Sequence, residues 1–267
     1  MLHNPSNTIP GILPPAASPV RLRTPRVTVA ASSSPTQFMT RYALYFAPAA
    51  DSLWWQAGCR WLGRDPSSGQ EVEQVQIADI APRVLHTLTA DARRYGFHAT
   101  LKAPFRLADG CDADQLDAAL KDFCRRQQVI EIPAPRVEWL GSFLALRPGG
   151  DSSAIDRLAM QCVSEFDHLR APLRPEELAR RQQQQLSARQ LRLLQHWGYP
   201  YTAEEFRFHM TLTDGLHNSD SAAAIAAAAQ AYFAIDAPLL IQDLALFVET
   251  TPGAPFELIR RYPFLPD

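Results

Sequence analysis

The sequence predicts an α+β fold of two similar halves. We expect a bilobal molecule with two antiparallel-rich sheets, related by a pseudo-twofold axis around a central cleft, and helices on the outside. Three observations predict this. A short stretch occurs twice, as YGFHATLK at residues 95–102 and FRFHMTLT at residues 206–213. Each copy is surrounded by the same order of strand, helix, motif strand, helix and strand. The histidines of the two copies, His98 and His209, lie 111 residues apart, too far for a solenoid repeat.

Residues 1–38 differ from the rest of the chain. They contain no Asp or Glu, many Pro and Ser, and the arginines Arg21, Arg23 and Arg26. Such a composition resembles a transit peptide, but its prolines disfavour an amphipathic targeting helix. We therefore expect a disordered N-terminal extension, with Met39 as an alternative start. Residues 39–267 then form one bilobal domain, with lobes at about 39–140 and 141–267 that can exchange strands.

The first half contains a strand at 42–47, a helix begun by Asp51 or Ser52 and ended near Leu62, and a polar loop at 63–69. A helix is predicted around 82–89, with Pro82 at its start. The first motif strand follows. Asp112 or Asp114 opens an amphipathic helix to about residue 127. Strands are predicted at 129–132, 137–140 and 142–146.

The second half repeats this order. A helix spans about 152–166, and an inserted helical pair spans about 175–184 and 187–196. The second motif strand follows, then an Ala-rich helix at about 219–232. Strands at 239–248 and 256–260 close the chain. The insertion carries Arg180, Arg181, Arg189 and Arg192, which could contact a polyanion; a solvated helical face is the interpretation we prefer.

Composition limits the function. The 28 acidic and 26 basic residues give a net charge of −2, so no global basic field favours a large nucleic-acid footprint. The four cysteines include no C-x-x-C pair, which predicts free thiols in a reducing compartment. No run of about 18 apolar residues occurs, so we expect no membrane span. A cytoplasmic monomer is the expected state.

The repeated motif carries the candidate chemistry. Side chains alternate along a strand, so His98 and Thr100 share one polar face, as do His209 and Thr211. Residues two apart are roughly 6.5–7 Å apart at the backbone, close enough to hold one phosphate between them. One imidazole can deprotonate water while the other protonates a leaving alkoxide, and both threonine hydroxyls can donate to phosphate oxygens. This chemistry needs no metal and no cofactor.

Three further residues are candidates for substrate binding. Lys102 and Arg207 share the predicted motif faces and could hold a phosphate, although a solvated charge explains each equally well. Tyr42, in the first strand, could also contact substrate, with packing as its default role. A single His-x-Thr triplet often arises by chance. Two copies in the same strand context favour a functional interpretation over chance.

Paired His-x-Thr strands in a duplicated α+β chain resemble the 2H phosphoesterase superfamily, which includes RNA 2′,3′-cyclic phosphodiesterases and RNA 2′–5′ ligases. The stretches RYALYFAP at 41–48, YGFHATLK at 95–102 and FRFHMTLT at 206–213 are similar to a branch known as phosphonate-metabolism proteins, found beside carbon–phosphorus lyase genes. The resemblance covers about residue 39 to the end. It implies a metal-independent cyclic phosphodiesterase with His98 and His209 catalytic and with Thr100 and Thr211 on the phosphate.

Three functions follow as hypotheses. The first is hydrolysis of a small cyclic phosphate, such as a phosphorylated ribose cyclic phosphate in phosphonate catabolism, a substrate that rests on the genomic association of the branch. The second directs the same chemistry at an RNA end, as a 2′,3′-cyclic phosphodiesterase or a 2′–5′ ligase-like enzyme. An RNA enzyme would benefit from a basic groove with aromatic platforms. The third is a non-catalytic nucleotide- or RNA-binding module, which the intact motifs disfavour.

Overall fold

A computed structural model describes residues 40–183, 185–216 and 219–264 of the chain. The predicted N-terminal extension, residues 1–38, lies outside these residues. The strands are β1 (Arg41–Phe46), β2 (Ala99–Phe105), β3 (Ile130–Ile132), β4 (Arg136–Leu140), β5 (Phe143–Arg147), β6 (Met210–Thr211), β7 (Leu239–Ile241), β8 (Asp243–Glu249) and β9 (Glu257–Pro263). The helices are α1 (Leu53–Leu62), α2 (Pro82–Leu88), α3 (Ala90–Tyr95), α4 (Ala113–Cys124), α5 (Ser153–Glu165), α6 (Pro175–Gln182), α7 (Ala188–Trp197) and α8 (Ala222–Tyr232).

Local sequence signals determine most of these boundaries. The Ser52 hydroxyl accepts a hydrogen bond from Trp55 N at 3.1 Å and begins α1. Asp112 and Gln115 form a reciprocal capping box that begins α4. Several boundaries differ from expectation. The second motif strand, expected at 206–213, is limited to Met210–Thr211. Tyr95 ends a helix instead of beginning a strand, and the expected strand at 239–248 divides into β7 and β8, which belong to different sheets.

The strands form a seven-stranded sheet in the order β4-β5-β6-β2-β1-β8-β9 and a two-stranded sheet of β3 and β7. Every pair in both sheets is antiparallel. The α+β class with antiparallel sheets is therefore confirmed. The sheets are not divided one to each half, however, since each contains strands from both halves.

The order of elements in the two halves matches β1 to β5, β2 to β6, β3 to β7 and β4 to β8. Within the large sheet, β4 pairs with β5 and β8 pairs with β1, so each half contributes its last strand to the other half. The approximate twofold relation therefore runs between β2 and β6, at the centre of one continuous sheet. These are the two strands that carry the repeated motif.

One face of the large sheet carries the main core. Side chains such as Leu44, Leu101, Leu146 and Met210 pack there against apolar residues of α1, α4, α5 and α8. The opposite face carries a smaller cluster that includes Tyr45, Trp55, Phe247 and Phe256. Because the helices cover mainly the first face, the second face remains accessible for a site beside the smaller cluster.

Candidate active site

The two motifs are neighbours in the large sheet. Strands β2 and β6 pair antiparallel with Ala99 opposite Met210. Extending this register by one residue on either side sets His98 opposite Thr211 and Thr100 opposite His209. The two histidines thus lie on one diagonal and the two threonines on the other, with diagonal α-carbons about 7–8 Å apart. We expected the motif faces to oppose each other across a groove; instead they lie side by side on one sheet face.

Both imidazoles are oriented by the same local contact. His98 Nδ1 lies 2.8 Å from the carbonyl oxygen of Gly96, and His209 Nδ1 lies 2.7 Å from that of Arg207. A carbonyl oxygen only accepts hydrogen bonds, so each Nδ1 carries the proton and each neutral ring has its lone pair on Nε2. Nε2 of His98 accepts from the Thr100 hydroxyl at 3.2 Å. The nitrogen that carries the lone pair is therefore Nε2 in both motifs.

Gly96 joins α3 to the strand that follows His98. Its φ of 82° lies in the region that favours glycine, and a Cβ there would lie 2.7 Å from Pro66. The turn aims the Gly96 carbonyl at the imidazole of His98. Glycine at this position thus contributes directly to the orientation of the histidine.

Burial makes both imidazoles harder to protonate. Loss of solvent around His98 lowers its pKa to about 4. The hydrogen bond that His98 donates to the Gly96 carbonyl opposes this shift, and the charge of His209 reinforces it. Loss of solvent also lowers the pKa of His209, and the nearby Arg147 guanidinium acts in the same direction. In the ligand-free protein near neutral pH, both rings are therefore predominantly neutral.

Aromatic rings flank each histidine. The Tyr45 ring stacks on His98 with a centroid separation of 3.7 Å, and Phe143 lies 5.8 Å from His209. Tyr42, the tyrosine that the sequence analysis proposed for substrate binding, packs instead beside Phe105 on the core side of the sheet. The tyrosine of β1 that lies beside the imidazole of His98 is therefore Tyr45 and not Tyr42. Both faces of β1 are apolar, so alternation alone did not distinguish the two tyrosines.

Thr100 and His209 line a cavity of about 520 Å³. One wall of this cavity comes from Gln190, in the second helix of the inserted pair, and from Tyr199 and Tyr201, which follow that helix. The inserted pair therefore helps to enclose one side of the cavity.

Lys102 does not follow the simple alternation that suggested it. Tyr45 of β1 pairs with Thr100 of β2, and the neighbouring residue of β1, Leu44, pairs with Lys102. β2 therefore has one extra residue between these two pairs, which interrupts the alternation of its side chains. The buried ammonium donates to the Val163 carbonyl at 2.9 Å, and burial lowers its pKa to about 8. Lys102 therefore contacts α5 instead of standing as a solvated charge.

Arg207 and Thr211 lie at the second motif. Arg207 is exposed, lines the cavity and donates to the Glu204 and Phe206 carbonyls at 2.8 and 2.6 Å. Its own carbonyl orients His209. Thr211 is half-buried, and its hydroxyl makes no hydrogen bond to any other described residue.

The described residues include neither a cluster for a metal ion nor a helix that could cross a membrane. In the part of the chain that the structure describes, no three His, Cys, Asp or Glu side chains are grouped to hold a metal ion. None of the helices in that same part has both the length and the apolarity for crossing a membrane. The four cysteines are free.

The sequence matches one protein-family model and is similar to curated proteins of two bacteria. A family model described as "Protein of unknown function (DUF1045)" matches residues 100–257. A protein of Janthinobacterium sp. (strain Marseille) named ribose 1,5-bisphosphate phosphokinase PhnN is 51% identical over 234 residues, 86% of this chain and 52% of the relative. A protein of the same name from Laribacter hongkongensis (strain HLHK9) is 40% identical over 225 residues, 82% and 51% of the two chains. The chain thus spans about half the length of these curated relatives.

Solved structures with similar folds include E. coli LigT complexed with 3′-AMP. That structure is 12% identical with a TM-score of 0.42, over 85% of this chain and 98% of LigT. A structure titled as a phosphoesterase is 12% identical with a TM-score of 0.36, over 84% and 98% of the two chains.

Proposed function

Because the chain belongs to the family described as protein of unknown function (DUF1045), its activity has to be argued from its site, and we propose that it hydrolyses a small cyclic phosphate by two-histidine acid–base catalysis. The observation that carries this proposal is the paired geometry of the motifs. Two Nε2 atoms with lone pairs and two threonine hydroxyls belong to one face of two adjacent strands. A base, an acid and two hydroxyl donors on one face suit in-line displacement at phosphorus.

In the proposed reaction, a water oxygen attacks phosphorus while one neutral imidazole accepts the water proton at Nε2. The ester bond to the leaving oxygen breaks, and the other histidine, protonated when the anionic substrate binds, gives its Nε2 proton to that oxygen. Thr100 and Thr211 donate to the non-bridging oxygens, where negative charge increases in the transition state. The products are a phosphate monoester and a free hydroxyl. The histidine that acted as base then releases its proton to solvent and the one that acted as acid takes one up, which restores the starting protonation states.

The proposed substrate is a ribose 1,2-cyclic phosphate that carries a 5-phosphate. Opening its ester bond to O2 would leave ribose 1,5-bisphosphate, the compound in the names of the curated relatives. A hydrolase that forms this product would act immediately before a kinase that consumes it. The relatives are about twice as long as this chain, so they have room for a second activity.

The second candidate is the end of an RNA bearing a 2′,3′-cyclic phosphate. The observation that favours it is Tyr201, which is 42% exposed and lines the motif cavity, where a base could stack on it. A protein that binds RNA phosphates loses affinity steeply as salt increases. Salt dependence therefore distinguishes the two candidates.

The proposal is tested by incubating the purified protein with ribose 1,2-cyclic phosphates, nucleoside 2′,3′-cyclic phosphates and short RNAs, and following ³¹P NMR signals. Conversion of a cyclic signal to a monoester signal by the wild type, and none by the His98→Ala/His209→Ala double variant, is the expected result. The matched control is His86→Ala/His168→Ala, two histidines elsewhere on the chain. Equal conversion by both double variants would exclude the paired-histidine site.

A further inference from the structure

A second cavity, of about 650 Å³, lies beside the proposed site. Six arginines and one glutamate line it, and we call it the arginine cavity: Arg41, Arg94, Arg106, Arg174, Arg180 and Arg181, with Glu177. The catalytic chemistry proposed above uses none of these residues. Their concentration in a chain of net charge −2 therefore needs an explanation of its own.

Two carboxylates, one buried and one half-buried, hold part of this cluster in place. Glu249 is fully buried, and its carboxylate accepts hydrogen bonds from Arg41 and, at 3.1 Å, from Arg94. Glu177 accepts twice from one guanidinium nitrogen of Arg106, at 2.8 Å each. A carboxylate held beneath an arginine fixes its planar fork, as phosphate recognition requires.

Arg180 and Arg181, on α6, lack such neutralisation. Among the described residues neither has a carboxylate within ion-pair distance. Burial lowers the pKa of Arg181. Tyr199 and Glu177 oppose this shift, and the charges of Arg180 and Arg41 reinforce it. The Arg181 guanidinium also lies 5.6 Å above the Tyr199 ring. Arg180, Arg189 and Arg192 are exposed, as a solvated helical face predicts, whereas Arg181 is half-buried. An anion in the cavity would relieve the repulsion between Arg181 and its arginine neighbours.

The arginine cavity adjoins the histidines. Tyr199 and Tyr201 line both it and the cavity that contains His209. On the other side, the Tyr95 ring lies 6.3 Å from His98 and 4.2 Å from the Arg94 guanidinium, which sets Arg94 no more than about 10.5 Å from the imidazole. One small molecule with anionic groups at both ends can span this distance.

We propose that the arginine cavity binds a second phosphate of the substrate, a monoester group on the same small molecule whose cyclic phosphate lies against His98 and His209. This inference rests on the proposed function for the identity of the first group. A monoester carries about −1.5 to −2 charges near neutral pH and presents three acceptor oxygens, so it matches several guanidinium forks better than a diester does. The cavity would therefore select doubly phosphorylated substrates.

The first test compares ribose 1,2-cyclic phosphate with and without a 5-phosphate. The wild type should prefer the phosphorylated substrate by about tenfold or more in kcat/KM, as loss of one charge-assisted contact predicts. Arg180→Gln/Arg181→Gln should reduce that preference by about tenfold, a ratio in which any loss common to both substrates cancels. The matched control is Arg125→Gln/Arg126→Gln, which removes the same amount of charge from two exposed arginines at the end of α4. Equal effects of the two double variants, or no preference in the wild type, would overturn the proposal.

The second test measures binding without turnover. Calorimetry with ribose 5-phosphate should give binding to the wild type that survives His98→Ala/His209→Ala and weakens about tenfold or more in Arg180→Gln/Arg181→Gln. Binding that disappears with the histidines but not with the arginines would contradict the assignment. Absence of turnover on every cyclic phosphate, with this binding pattern intact, would reject the proposed function alone. A tenfold preference for a short cyclic-ended RNA over the phosphorylated sugar would reject the small-molecule ligand.

Discussion

The half-buried position of His98 predicts how stability depends on pH. Its pKa is about 4 in the folded protein against an ordinary value of 6.5. The folded protein therefore binds fewer protons than the unfolded chain between these values, and stability must fall as pH falls through this window. The full difference between the two pKa values corresponds to about 3 kcal/mol in the free energy of unfolding. At pH 5, about 2 kcal/mol of this stability is already lost relative to pH 8.

Substitution of His98 by Asn isolates this contribution. The Asn side chain cannot titrate, yet its amide can donate to the Gly96 carbonyl as Nδ1 does. Urea unfolding, followed by tryptophan fluorescence, gives the free energy of unfolding of each protein at pH 8 and pH 5. The wild type should lose about 2 kcal/mol more than His98→Asn on going to pH 5.

The control is His168→Asn, because His168 also donates from Nδ1 to a backbone carbonyl, that of Glu165 at 2.9 Å, but is exposed. This variant should lose as much stability as the wild type. If His98→Asn and the wild type lose equal amounts, the imidazole of His98 is not held neutral by burial, and the reasoning about its protonation is wrong.

Four further predictions concern activity and packing. The pH profile of kcat/KM should be a bell with its maximum below pH 6.5, because burial lowers the pKa of both His98 and His209; a maximum above pH 7 would contradict this. EDTA should leave turnover unchanged, and loss that a divalent ion restores would refute metal independence. Gly58→Ala should destabilise by about 1–3 kcal/mol in urea unfolding, since the new Cβ would lie 2.1 Å from the buried Phe97 ring; unchanged stability would show that the ring relocates freely. Removal of residues 1–38 should leave the melting temperature and activity unchanged, and a large drop in either would mean that they contribute to the fold.

Local patterns in the sequence predicted the elements and the motif pair well. Amphipathic spacing and caps, such as Ser52 and Asp112, depend on neighbours within one turn of helix and are readable from the chain. The internal duplication also indicated that the two motif strands are equivalent. His98 and His209 with their threonines were named on that basis, and the register of β2 and β6 brings them together.

The remaining features depend on pairing between distant segments. The exchange of β4 and β8 between the halves follows from sheet register, which the sequence does not state locally. The extra residue in β2 that redirects Lys102 becomes visible only against β1. The arginine cavity likewise assembles residues from β1, α3 and α6 that are far apart in the chain.

The most direct measurement of the central claim is kcat/KM for the wild type, His98→Ala and His209→Ala on one cyclic phosphate and on its ring-opened analogue with a nitrophenyl leaving group. Each variant should lose about 10²–10⁴-fold on the cyclic phosphate, because each lacks one proton-transfer partner. A nitrophenolate leaves without acid assistance, so the activated ester should restore activity to one variant only, the one that lacks the acid. Near wild-type hydrolysis of the cyclic phosphate by either variant would contradict two-histidine catalysis.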